Sequence, residues 1–155
     1  MMDSVSIIEY SDKYKIDFKL LNLEWIEKDY IVEPTDEEVL LHPDESIIDK
    51  GGFIYFAKMG DKIIGTCALL KINEKTFEIA KMAVTENYQR HGIGKILMNK
   101  ILDKSKELKL DKLILYTHTK LEKALKMYNK YGFHEIPKED FHNNRANIKM
   151  ELELT

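Results

Sequence analysis

The sequence contains one cysteine, one tryptophan, three prolines and seven glycines among its 155 residues. Its single cysteine, Cys67, cannot build a disulfide framework or a cysteine-rich metal site, and it suits a reducing compartment. No metal is expected, and the cytosol is the expected location. So little glycine and proline leaves no linker, and no repeat or low-complexity tract divides the chain. No stretch reaches the length of a membrane span, and "MMDSVSIIEYSDKYK" lacks the basic flank and apolar core of an export signal. An excess of one charge is missing too: 24 Lys and Arg stand against 27 Asp and Glu, a net −3. Such a balance supplies no overall field for nucleic acid or an anionic membrane, and neither partner is expected. What is present is the 44% hydrophobic content of a globular protein, in a length that fits one domain spanning 1–155 with a core of its own.

The order of elements follows from periodicity. Val5 to Tyr10 reads as a strand, and Tyr14 to Tyr30 as a helix with Ile16, Leu20, Leu23 and Ile26 or Glu27 on one face. Thr35 and Glu38 have capping-box spacing, Pro43 suits a first helical position, and Gly51–Gly52 is a stop. "FIYFAKMGDKIIGTCALLKI" reads as a hairpin turning at Met59 to Lys62, and "TFEIAKMAV" as a third strand. On that strand alternation places Glu78, Ala80, Met82 and Val84 on one face, and Phe77, Ile79, Lys81 and Ala83 on the other. Ile93, Ile96, Leu97, Ile101 and Leu108 mark a helix with one buried side, and "KLILYT" is a compact strand. Thr119 and Glu122 repeat the capping-box spacing, Leu121, Ala124, Leu125 and Tyr128 share a face, and Gly132 is a C-cap. "FHEI" and "ANIKMELEL" close the chain as strands. The result is an α/β protein, β-α-α-β-β-β-α-β-α-β-β, with parallel neighbours where a crossover helix joins two strands.

Between the third strand and its helix lies Gln89-Arg90-His91-Gly92-Ile93-Gly94, where unpaired helix N–H groups favour an anion. A Walker loop fails, since Gly94-Lys95 is followed by Ile96 and no glycine stands at the required upstream position. A dinucleotide fingerprint fails as well, because its third small position holds Leu97. Two readings stay open from the residues alone: glycines that shape a tight connection, and glycines that admit a phosphate to the backbone.

Gln89-x-x-Gly92-x-Gly94 resembles the Q/R-x-x-G-x-G/A signature of the GNAT superfamily of N-acetyltransferases, and the strand before it ends in Ala83-Val84, as is usual there. "ALKMYNKYGF" is similar to that family's alanine helix running to Tyr-x-Lys-x-Gly-Phe, and the likeness spans Phe53 to Glu135. It implies a mixed sheet of six or seven strands flanked by about four helices. It also implies transfer of acetyl from acetyl-CoA to a primary amine of a small molecule or peptide. Gln89, Arg90, His91, Gly92, Ile93, Gly94 and Lys95 would then cradle the CoA pyrophosphate, and Met82 and Val84 would pair through their backbone with the pantetheine arm. Where the family often has Asn, this chain has Leu121, so that contact is either absent or replaced, with Thr119 as the replacement. The competing readings are a CoA-binding sensor of the same fold and an unrelated nucleotide-binding protein.

Acetyl transfer to an amine needs a neutral nucleophile, a stabilised oxyanion and a proton for the departing thiolate. Glu78, a carboxylate on a small apolar surface, falls where many members of that family carry a general base; paired with a cation it would be structural. His118 is a rival base. Tyr128 sits on an apolar helix face, where tyrosines usually pack, and occupies the position that the family uses to protonate the thiolate. Tyr131 reads as packing and Cys67 as an inert buried thiol. Arg145 is either a surface charge or a ligand for a substrate carboxylate. By resemblance Trp25 and Glu24 lie where the acceptor site is walled. Oligomeric state, a homodimer included, is open.

Overall fold

The computed structural model describes residues 4–29, 34–137 and 146–154, the side chains of Asp29 and Thr35 excepted. Among the described residues seven strands form one mixed sheet: β1 (Val5–Glu9), β2 (Phe53–Met59), β3 (Lys62–Lys71), β4 (Thr76–Val84), β5 (Lys112–Thr117), β6 (His134–Ile136) and β7 (Ile148–Glu153), in the order β1-β2-β3-β4-β5-β7-β6. The α-helices that flank it among these residues are α1 (Lys15–Asp29), α2 (Pro34–Leu41), α3 (Ile93–Glu107) and α4 (Glu122–Lys130). The element order and the mixed sheet expected from the sequence are present. The hairpin turns where Gly60 and Asp61 leave Met59 opposite Lys62. All adjacent strands are antiparallel except β4 and β5, the pair joined by the α3 crossover. Among the described residues no helix is long and apolar enough to cross a membrane.

Apolar side chains pack in two layers. Ile93, Leu97, Met98 and Ile101 of α3 press on Cys67, Leu69, Phe77 and Ile79 from one face. Phe18 and Ile26 of α1, with Leu40 and Ile47, cover Ile54, Phe56 and Ala68 on the other. At about 25 cal/mol per Å² of apolar surface, each such fully buried Leu, Ile or Phe contributes roughly 1.5–3 kcal/mol.

Three local expectations are corrected. On α1 the buried residues are Phe18, Leu21, Asn22 and Ile26, while Ile16 and Leu20 are 69% and 58% exposed. Apolar residues surround this helix, so periodicity alone does not select its inner face; the sheet selects the one bearing Phe18. On α4 the N-cap residue is Leu121, with no side-chain cap, because the Thr119 hydroxyl accepts instead from Asn147 Nδ2 at 3.3 Å. Leu121 is 42% exposed and leaves the face shared by Ala124, Leu125 and Tyr128.

The third correction lies on β4. Ala80 pairs with Ala68 but Ala83 pairs with Thr66, so one β3 residue, Cys67, spans both Lys81 and Met82. This is a β-bulge, and Lys81 within it adopts a left-handed φ of 53°. Alternation therefore resets. Met82 and Val84 join Phe77 and Ile79 in the layer under α3 rather than sharing the face of Glu78. The Thr35 cap and the helix end at Tyr30 lie outside the described residues.

Candidate active site

The bulge opens a fork in the sheet. β4 and β5 pair from Thr76↔Lys112 to Ile79↔Leu115 and no further, although β4 continues to Val84 and β5 to Thr117. β5 turns its far edge to β7, through Thr117↔Ile148. Beyond Ile79, β4 therefore has an open backbone edge where its neighbour has left.

That edge leads into the glycine turn. Arg90 and Gly92 both have left-handed φ, 69° and 79°. Gly92 is the N-cap of α3, which has no side-chain cap, and the first helical bond runs from Ile96 N–H to the Gly92 carbonyl. The preceding amides at the helix start have no intrahelical partner. A Cβ on Gly92 would meet nothing within 4 Å, and one on Gly94 only the Met127 sulfur at 3.7 Å. Gly92 is accounted for by its φ. Gly94 is not: alanine would fit and would favour the helix by about 1 kcal/mol. A bare backbone kept at an uncapped helix start suits an anion that approaches closely. Arg90, His91 and Lys95 are exposed around it, so the turn fits a pyrophosphate.

Other residues hold this turn in place. Gln89 Nε2 donates to the Val84 carbonyl at 3.0 Å. Glu24 of α1 accepts from the Thr85 hydroxyl at 2.8 Å and from Glu86 N–H at 2.9 Å, clamping the segment that leads into the turn. Thr119 is anchored to Asn147, whose Oδ1 accepts its N–H at 3.1 Å.

Tyr128 packs in the α3/α4 layer, in the same cluster as Cys67, the β3 residue that faces the bulge. The end of α4 is a Schellman motif: Phe133 N–H bonds the Tyr128 carbonyl at 3.0 Å and Gly132 N–H the Asn129 carbonyl at 3.1 Å. Gly132 supplies its left-handed φ of 98°. Phe133 folds back on Tyr128, ring centroids 5.8 Å apart and planes at 59°. The Tyr-x-Lys-x-Gly-Phe pattern is thus a device that fixes the Tyr128 ring. Its hydroxyl makes no hydrogen bond among the described residues, and its pKa is pushed up by burial first and then by the nearby Cys67. It stays protonated at neutral pH. Cys67 is fully buried, its Sγ 3.9 Å from the Ala80 carbonyl, and burial pushes its thiol up to about 12. Such a thiol is not a nucleophile. Tyr131 donates to Asn99 Oδ1 at 2.9 Å, tying α4 to α3.

On the opposite face a pocket of about 530 Å³ opens into the same fork, lined by Glu78 and Lys81 of β4, Tyr116 of β5, Trp25 of α1 and Asp36 of α2. Lys81 Nζ lies 3.1 Å from Asp36 Oδ1, with side chains only 16% and 3% exposed. This buried ion pair links the bulge to α2. Sequence reasoning missed it, because 45 residues separate the partners; the one signal was a lysine inside an apolar strand. Glu78 and Trp25 therefore share a pocket, and Glu24 does not line it. His118 Nδ1 accepts Lys120 N–H at 3.0 Å, a local contact in the turn that leads into α4. Arg145 lies outside the described residues.

Residues 19–133 match the family model described as Acetyltransferase (GNAT) family. The chain is 34% identical over 109 residues to the uncharacterized N-acetyltransferase YvbK of Bacillus subtilis, covering 65% of this chain and 70% of that one. A GNAT-family acetyltransferase from Staphylococcus aureus superposes with a TM-score of 0.88 at 25% identity, over 98% of this chain and all of the other. A GNAT family acetyltransferase from Elizabethkingia anophelis with acetyl-CoA bound gives 0.72 at 26% identity, over 98% and 99%.

Proposed function

Because the chain belongs to the GNAT family of acetyltransferases, we propose that it transfers acetyl from acetyl-CoA directly to a primary amine of a small molecule or peptide. The observation that carries this reading is the fork. A strand edge released by a bulge runs straight into an uncapped, glycine-bearing helix start. An extended pantetheine arm can pair with such an edge while its pyrophosphate meets the helix.

The residues divide the work as follows. Ile93, Gly94 and Lys95 offer backbone N–H groups to the pyrophosphate, and Arg90 and His91 add charge beside it. Met82 and Val84 present backbone to the pantetheine arm, and Thr119 flanks it from the start of α4. Acetyl-CoA supplies the activated acyl group. Glu78 takes a proton from the acceptor, whose amine, with a pKa near 10 like that of lysine, is otherwise charged at pH 7. Tyr128 gives its proton to the sulfur that leaves. Tyr128 packs in the layer under α3 and Glu78 lines the pocket on the α1 and α2 side, so one can serve the departing thiolate and the other the entering nitrogen.

A thiol-release assay with acetyl-CoA and a broad amine panel tests the reading. Amine-dependent release of free CoA supports it. Tight CoA binding with no turnover on any amine would replace it with the sensor of the same fold.

A further inference from the structure

On an unbroken β4, alternation would place Lys81 on the face of Phe77 and Ile79, two side chains of the apolar layer under α3. An ammonium is costly there, because a charge in apolar surroundings loses its hydration without gaining a partner. The bulge turns Lys81 to the other face instead. There it lines the pocket beside Ala80 and sets Nζ 3.1 Å from Asp36 Oδ1 of α2, with both side chains largely buried. The turn has its own cost, since a non-glycine residue at φ 53° crowds its Cβ against the carbonyl. An ion pair this buried is a weak source of net stability, because desolvation offsets the attraction. What it does fix is the path of β4. The stretch from Met82 to Val84 begins directly after Lys81 and ends at Thr85, whose hydroxyl donates to Glu24 of α1 at 2.8 Å. The open edge is tied at both ends to the α1 and α2 side.

On the premise that this edge receives CoA, we propose that Lys81 and Asp36 are positioning residues for the cofactor: the charge of Lys81, drawn to Asp36 and kept out of the apolar layer, holds the bulge that shapes the β4 edge. Neither side chain needs to touch CoA. Without that charge, β4 can revert in part of the population to regular alternation, which turns Met82 and Val84 to the pocket face and misaligns the edge. CoA binds the bulged form, so its apparent affinity falls with the fraction of chains that keep it.

Two double variants of the full chain, Asp36→Asn/Lys81→Met and Asp36→Asn/Lys81→Gly, lack the ion pair equally and differ in what residue 81 prefers. Methionine is penalised at a left-handed φ and suits the apolar layer, whereas glycine adopts that φ freely. Each is titrated with CoA by calorimetry, and a cooperative urea transition establishes that it is folded. The methionine variant is expected to bind CoA roughly five- to thirtyfold more weakly than wild type, the shift that follows when the left-handed cost of one residue is no longer offset. The glycine variant should return to within about threefold of wild type. Equal weakening in both would overturn the inference, because glycine cannot replace a side chain that touches CoA. Wild-type affinity in the methionine variant would overturn it too. A second comparison needs no methionine: Asp36→Asn should weaken CoA binding in the chain that keeps Lys81 and leave Lys81→Gly unchanged, and an equal effect in both, or none in either, would overturn the inference. Failure of the wild type to bind CoA would instead overturn the cofactor reading beneath it.

Discussion

Removing one oxygen atom from Tyr128 separates a packed ring from a proton donor. The ring is 8% exposed and pinned by Phe133, and phenylalanine keeps both contacts. Since the hydroxyl makes no hydrogen bond among the described residues, its loss orphans no protein partner, and stability should change by less than about 1 kcal/mol. The rate should behave differently. Burial holds the phenol protonated, so it is available as an acid at every working pH, and general acids of this kind are worth roughly 10²- to 10⁴-fold. That range corresponds to about 3 to 5 kcal/mol of barrier. Thiol release at saturating acetyl-CoA, with the urea midpoint and CoA affinity measured on the same preparation, reads all three quantities. A fall in turnover with the other two unchanged is the expected outcome. Turnover within about twofold of wild type would reduce Tyr128 to packing and remove the proposed acid.

Glu78→Gln should lower turnover most at low pH, where the acceptor is most protonated, and recover in part as pH rises; a profile parallel to wild type would return Glu78 to structure. Alkaline pH should destabilise the protein through its buried acids. Cys67 and Tyr128 are held above their ordinary values in the native state, so the unfolded chain releases these protons first and the native state binds more of them. Stability is therefore full below about pH 8.5 and falls as pH rises, by up to about 1.4 kcal/mol per pH unit for each group. Urea midpoints between pH 7 and 10 should show this slope, shallower in Cys67→Ala; a flat profile would show that the thiol and phenol ionise as freely in the fold as outside it.

Much of this architecture is legible in the sequence because local signals agree with the tertiary outcome. Gly60-Asp61 makes the hairpin, Gly132 ends α4, and the lysine-striped pattern of α3 identifies its inner face. The glycine turn is legible for the same reason: its residues act through their own backbone. What is not legible depends on distant partners. The inner face of α1 is chosen by Phe56 and Ala68, which no pattern within Lys15–Asp29 encodes. The Lys81 bulge has no glycine or proline to announce it, yet it moves Met82 and Val84 to the other face and opens the fork. Glu24 and Trp25 are adjacent in sequence, but one clamps the approach to the glycine turn and the other lines the pocket.

Thermal unfolding with and without CoA, in wild type and in Gly92→Glu, tests the cradle most directly. A ligand at one hundred times its dissociation constant stabilises the native state by about 2.7 kcal/mol, which for a chain of this size raises Tm by roughly 5–10 °C. Wild type should show that rise with CoA and acetyl-CoA and none with ATP or NAD. Gly92→Glu places a carboxylate where the pyrophosphate would lie, in space that the protein leaves open. It should stay folded, lose about 1–2 kcal/mol to its left-handed φ, and lose the CoA response. An undiminished CoA shift in the folded variant, or an equal shift with ATP in wild type, would contradict the assignment of this turn to CoA.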